Sequence, residues 1–259
     1  MQAFEPARPE SPRQGAQAQA GNVIILTGGL TGSSALAGLL TAAGYWCGED
    51  TFKKSDYNTY ENSELIELNR RLMQRVGVAE KEYTMAFQPD AIRRIEALRG
   101  VEDEADFRAM IARSEAHAPW VWKDPRLWLT VRFWAPLLDW SRIRVLLLRR
   151  DPVQAWISTT QRRHIQTYSY LTDYNESIQG SLREFLEANR VDYLPVLFED
   201  LIVTPERELE RLSGFLGRAV TMEHFRSSYD GGFYRKPKTL RDGAEAVLIY
   251  LKNYRERLR

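Results

Sequence analysis

Asn22-Val23-Ile24-Ile25-Leu26-Thr27-Gly28-Gly29-Leu30-Thr31-Gly32-Ser33-Ser34 joins an apolar, β-branched run to a glycine-rich turn and then to two serines that open a helical pattern. The run is too uniformly apolar for a strand with one wet face; it fits a parallel strand buried on both sides. Beyond Ser34, Leu36, Leu39, Leu40 and Ala43 recur at helical spacing, and Gly44 stands where helices commonly end. A strand, a tight turn and a helix start aim backbone N–H groups and the positive end of a helix dipole at one point, which suits a phosphate. A turn that merely packs a helix on a sheet looks the same, so on the turn alone both readings are open. Laid against GxxxxGK[ST], Thr27 replaces the first glycine and Ser33 the lysine. A kinase or ATPase needs that lysine on its outer phosphates beside magnesium, and the missing residue counts against both.

Outward from this unit the alternation continues. Trp120 to Lys123 (WVWK), Ile143 to Leu148 (IRVLLL) and Tyr193 to Phe198 read as further strands. Leu65, Leu68, Leu72 and Val76 step by three and four, predicting an amphipathic helix that begins at Glu61. Helical patterns also fill Pro89 to Arg99, Glu102 to Glu115 and Glu176 to Asn189. Asp151-Pro152 supplies an N-cap and first-turn residue for a helix carrying Val153, Trp156 and Ile157. Thr204-Pro205 starts another, with Leu209, Leu212 and Leu216 on one face. Strands alternating with helices predict an α/β fold of three layers, α/β/α, around a parallel sheet.

The 259 residues are 44 % hydrophobic and 27 % charged, with a net charge of +1. Such a balance supports a buried core and argues against nucleic-acid binding by bulk electrostatics. Cys47 is the single cysteine, so neither an internal disulfide nor a cysteine-based zinc cluster is possible. His117, His164 and His224 are far apart, and no metal site is expected. Residues 1–20, rich in Gln, Ala and Pro, predict a flexible tail without the apolar core of a signal peptide, leaving one domain over 21–259. No apolar run approaches the roughly 18 residues of a membrane span, and a cytoplasmic protein is expected.

A second anion-friendly group lies in Leu148-Arg149-Arg150-Asp151-Pro152, at the carboxyl end of a strand, where open parallel sheets bind ligands. Ser158 falls about two helical turns after Arg150 and Arg162 about one turn further. Arg150, Ser158 and Arg162 can thus face one phosphate, with an arginine fork and a hydroxyl as donors. Arginines at a strand end that only pair with nearby acids are the plain alternative.

Two phosphate-friendly groups without a P-loop lysine suggest a nucleotide with separated phosphates. Here the chain resembles the sulfotransferases that use 3′-phosphoadenosine 5′-phosphosulfate (PAPS), whose fold is P-loop-like. The likeness runs through TGGLTGSSALAGLL, CGED at Cys47 to Asp50, KDPR at Lys123 to Arg126, LLLRRDPVQAWIS at Leu146 to Ser158 and FEDL at Phe198 to Leu201. It implies metal-free, in-line transfer of a sulfuryl group to a hydroxyl or amine of a small molecule or glycan, leaving PAP as product. By position, Gly29, Leu30, Thr31, Gly32, Ser33 and Ser34 are expected around the 5′-phosphosulfate. Arg150, Ser158 and Arg162 are expected on the 3′-phosphate. Lys123 resembles the lysine that offsets transition-state charge in the tyrosylprotein branch. Asp50 falls where that branch keeps its general base, with Glu49 adjacent.

One position departs from the pattern. Leu30 stands where the family carries Arg or Lys against the leaving-group oxygen. Either another cation (Lys53, Lys54, Lys123 or Arg126) fills that space, or the chain is a nucleotide-binding pseudoenzyme or assembly partner. Phe198 replaces a tyrosine of some relatives. Tyr57 to Asn62 could contact the acceptor, and the basic segment Gly231 to Arg241 reads either as a lid over the nucleotide or as a solvated loop. Tryptophans 120, 122, 128, 134 and 140 read mainly as core. A homo-oligomer is compatible with the sequence.

Overall fold

Every side chain of β1 (Asn22–Leu26) is buried, and alternate residues enter different cores. This is the strand buried on both faces that its composition demands. The computed structural model describes residues 21–54, 57–78, 86–228 and 238–256. The expected tail and residues 231–237 of the basic segment lie outside the described residues.

After β1 come α1 (Ser33–Ala42), β2 (Thr51–Lys53), β3 (Asn58–Asn62), α2 (Ser63–Arg75), α3 (Pro89–Glu96), α4 (Ala105–Ala116) and β4 (Val121–Lys123). Then follow α5 (Leu127–Trp134), β5 (Ile143–Arg149), α6 (Pro152–Gln161), α7 (Tyr168–Ala188) and β6 (Tyr193–Leu197). The chain ends in α8 (Asp200–Val203), α9 (Pro205–Leu216), α10 (Met222–Ser228) and α11 (Leu240–Lys252). The main sheet has the order β4-β1-β5-β6, and each pairing is parallel. Its register sets Ile24 opposite Trp122 on one side and Val145 on the other.

Ile24, Leu26, Val145 and Leu147 point into a core built with α2, α4, α5 and α7, where Trp120, Trp122, Trp128 and Trp134 are buried. Trp122 packs against Trp120 at 4.7 Å and Trp134 at 4.9 Å between ring centroids. Val23, Ile25, Leu146 and Leu148 enter the other core with α1 and with Leu209, Leu212 and Leu216 of α9. The fold is therefore α/β, a parallel sheet covered by helices on both faces.

Three parts of the fold differ from the expectation. Glu61 belongs to β3, not to a helix: the Asn62 carboxamide oxygen accepts from the backbone N–H of Glu64 and Leu65, at 2.9 and 3.3 Å, so α2 starts at Ser63. The segment after CGED forms an antiparallel hairpin of β2 and β3, pairing Thr51 with Asn62 and Lys53 with Asn58. Helix α7 begins earlier than the expected Glu176, because Thr167 caps it by accepting from Tyr170 N at 3.2 Å.

Candidate functional site

The segments leaving the carboxyl ends of β1, β4 and β5 meet at one cavity of about 380 Å³. Its floor is Gly29 to Ser34, the turn and the first residues of α1. Gly32 caps α1 with φ of 87°, a left-handed backbone that favours glycine. A Cβ there would come within 2.3 Å of the Phe198 ring. Leu30 also has positive φ, at 61°, and strain of this kind in a non-glycine residue persists only where the surroundings enforce it. Two such constraints hold the turn: the Thr27 and Thr31 hydroxyls lie 2.6 Å apart, and Arg150 Nη1 donates to the Leu30 carbonyl at 3.3 Å.

Arg150, Ser158 and Arg162 all line the cavity, Arg150 from the end of β5 and the other two from α6 and its C-cap. The Asp151 carboxylate caps α6 by accepting from Gln154 N at 3.0 Å, which fixes the direction of that helix from the strand end. Glu199 braces the turn from behind. It accepts from Asp151 N at 2.9 Å and pairs with Arg150 at 3.4 Å. Burial pushes its carboxyl above the usual carboxylate range, against the pull of the Asp151 N–H and Arg150. On the same side of α6, Lys238 donates to Gln161 at 2.7 Å. Its ammonium is held below the usual lysine range first by burial, with Asp242 acting against the shift and the charges of Arg150 and Arg162 acting with it.

Lys123 ends β4 and is 3 % exposed. Its Nζ donates to Ser34 Oγ at 3.3 Å and to the Thr59 carbonyl at 3.5 Å, and forms an ion pair with Glu61. The next residue, Asp124, is fully buried; it accepts from Arg126 Nη1 at 2.9 Å and Asn69 Nδ2 at 2.8 Å. Trp134 Nε1 donates to Asn69 in turn, at 2.9 Å. Thus KDPR joins the cavity wall to the aromatic core, and Arg126 itself lines the cavity.

The hairpin forms a further wall of the cavity. Phe52, Lys54, Tyr57, Thr59 and Glu61 all reach the cavity from it. The α6–α7 connection adds His164 and Gln166, followed by Leu171 and Tyr174 of α7. Burial holds His164 below the usual histidine range, and the positive charges of Arg162 and Lys54 act in the same direction. Six cationic residues (Lys54, Arg70, Lys123, Arg126, Arg150 and Arg162) face one acid, Glu61, among the described residues lining the cavity. Such a surface attracts a polyanion.

A family model described as Sulfotransferase family matches residues 23–222. The chain belongs to the sulfotransferase family. No curated protein sequence matches it. Among solved structures, the sulfotransferase domain from the Synechococcus PCC 7002 olefin synthase is similar over 92 % of this chain and 98 % of its own, at 18 % identity and a TM-score of 0.46. Sulfotransferase STF9 from Mycobacterium avium is similar over 92 % of this chain and 78 % of its own, at 12 % identity and a TM-score of 0.41. For sulfotransferase STF1 from Mycobacterium tuberculosis H37Rv the values are 91 %, 78 %, 13 % and 0.41. The family assignment rests on residues 23–222 alone.

Within this sulfotransferase-family chain, the expected residues divide into two groups. Gly29 to Ser34, Lys123, Arg150, Ser158 and Arg162 line one cavity although they come from three strand ends. Glu49 and Asp50 are exposed and do not line it. The Asp50 carboxylate accepts from Ser63 Oγ at 2.7 Å, tying the hairpin to the start of α2. Of the cations considered for the space beside Leu30, Lys54, Lys123 and Arg126 line the cavity, whereas Lys53 is exposed outside it. His164, Gln166, Leu171 and Tyr174 carried no sequence pattern. Thr59 and Glu61 fall within Tyr57 to Asn62, the stretch expected against the acceptor, although in sequence Glu61 reads as the start of a helix. Among the described residues no helix is long and apolar enough to cross a membrane, and no three His, Cys, Asp or Glu are grouped to hold a metal ion.

Proposed function

We propose that the protein transfers a sulfuryl group from PAPS to a hydroxyl of a small molecule or glycan, in line and without a metal. The observation that carries this reading is one cavity in which the α1 turn and the Arg150–Ser158–Arg162 group face the same space. A nucleotide with phosphates on both its 3′ and 5′ positions needs two anion sites in one cavity. The N–H groups of the α1 first turn and the Ser33 and Ser34 hydroxyls hold the 5′-phosphosulfate. Arg150, Ser158 and Arg162 hold the 3′-phosphate, with Lys238 adding positive charge behind them. Lys123, already against Ser34, offsets the charge that grows on the leaving phosphate.

Arg150→Ala tests the nucleotide site. Losing charge-assisted donors to a phosphate costs about 3 kcal/mol, so the PAP Kd is expected to rise roughly 10²-fold by titration calorimetry. An unchanged Kd would remove Arg150 from the site.

Leu30 supports a second reading, in which the chain binds nucleotide without turning it over. Leu30→Arg separates the two. If Lys123 and Arg126 serve in place of the usual cation, the wild type transfers sulfuryl from radiolabelled PAPS to a phenol, and Leu30→Arg raises its kcat by roughly tenfold or more, within the span of one added donor. Transfer seen only in the variant would favour the binding-only reading.

A further inference from the structure

We propose that Glu61 is the general base, the group that takes the acceptor's proton; this rests on the sulfuryl-transfer reading above. Glu61 is the one acid among the described residues lining the cavity, and it is only 8 % exposed. A carboxylate in that position needs a reason, because a polar wall would otherwise carry a neutral or cationic group against an anionic nucleotide. Its ion pair with Lys123 supplies part of the reason and its placement. Lys123 Nζ lies between Glu61 and Ser34 Oγ, so the carboxylate sits one lysine away from the 5′-phosphosulfate turn.

The backbone is bent to put it there. Tyr60 has φ of 56°, left-handed backbone that a bulky aromatic residue rarely adopts. Its ring packs over Gly38 of α1, where a Cβ would lie 2.8 Å from Cε2. Asn58 Oδ1 accepts from Tyr60 N at 2.9 Å and secures the bend. With Tyr60 turned onto α1, Thr59 and Glu61 both face the cavity. Gly38 leaves room for the ring, while the backbone strain at Tyr60 stays and persists only because its surroundings enforce it, which marks a conformation fixed for a purpose.

The step balances without further reactants. The acceptor hydroxyl gives its proton to a Glu61 carboxylate oxygen. The acceptor oxygen forms the new O–S bond as the bond from sulfur to the 5′-phosphate oxygen breaks. The electron pair of that bond leaves on PAP, where Lys123 offsets the charge. Lys123 therefore moves from holding Glu61 to holding the leaving oxygen as the carboxylate becomes neutral.

The test uses the full chain, radiolabelled PAPS and two probe acceptors: 2-naphthol, which is neutral at the assay pH, and 4-nitrophenol, which is largely ionised and has no proton to lose. Glu61→Gln keeps the shape and removes the base. It is expected to lower kcat with 2-naphthol by roughly 10²- to 10³-fold, to lower it less than about tenfold with 4-nitrophenol, and to keep the PAP-induced thermal shift. Glu61→Asp, which retains a carboxylate, is expected to recover part of the loss. Equal losses on both phenols would show that Glu61 acts only through its ion pair, and would overturn the proposal. So would full activity of Glu61→Gln, or an acceptor-dependent loss that appears in Asp50→Asn instead. A wild type that binds PAP but transfers to neither phenol would favour the binding-only reading raised by Leu30 and remove this assignment with it.

Discussion

Lys123→Ala is expected to lower sulfuryl transfer by roughly 10²- to 10³-fold, the span seen when one donor to developing negative charge is removed. It is also expected to cost stability. Lys123 and Glu61 form a buried pair, and deleting one partner of such a pair typically costs about 3–5 kcal/mol because the other is left charged and uncompensated. The lower end applies here, since the cavity lets water reach the orphaned carboxylate. The two effects separate in the double variant Lys123→Ala/Glu61→Gln. Removing both charges restores most of the stability in urea unfolding, but turnover stays low. Turnover of Lys123→Ala within about threefold of wild type would move the charge-offsetting role to Arg126, the other buried cation on that wall.

Gly32→Ala carries the second large effect. Gly32 caps α1 with left-handed backbone, and Phe198 fills the space where a Cβ would stand. Left-handed backbone costs about 1–2 kcal/mol in a residue with a side chain, and overpacking adds about 1–3, so the variant is expected to lose about 2–5 kcal/mol. For a chain of this length that is a fall in Tm on the order of 10 °C. The turn also carries the N–H groups proposed for the phosphosulfate, so PAP binding is expected to be lost even where the fold survives. Phe198→Ala added to Gly32→Ala removes the clash and not the backbone strain. The pair should therefore cost less than the sum of the single variants, by roughly 0.5–3 kcal/mol. Strict additivity would show that the ring and the glycine are independent.

The layers of the fold were legible in the sequence because each strand states its environment. Val23 to Leu26 and Val145 to Leu148 are apolar on both faces, which only a sheet covered twice accommodates. Asp151-Pro152 named the start of α6, and the Asp151 carboxylate does cap it. The hairpin was not legible. Its strands are short, three and five residues, and the first is half exposed, so no apolar alternation announces it. Glu61 then looked like the first residue of a helix whose apolar rhythm begins at Leu65, and only the Asn62 cap separates the two elements. The cavity residues split in the same way. Gly32 and Arg150 could be placed from their positions at strand ends, and Lys123 through the KDPR resemblance. Glu61, His164 and Gln166 depend on how the hairpin and the α6–α7 connection fold against each other, which no local pattern encodes.

Thermal unfolding with saturating PAP, beside a parallel sample with ATP and magnesium, tests the central claim most directly. A ligand at about 100 times its Kd adds roughly 2.7 kcal/mol, enough to raise the Tm of a chain this size by several degrees. The expected result is a rise with PAP and none with ATP and magnesium, because Arg150, Ser158 and Arg162 are proposed to hold a 3′-phosphate that ATP lacks, and Ser33 stands where an ATP-binding loop keeps its lysine. A rise with ATP and magnesium alone, or no rise with PAP, would contradict the assignment of this cavity to PAPS.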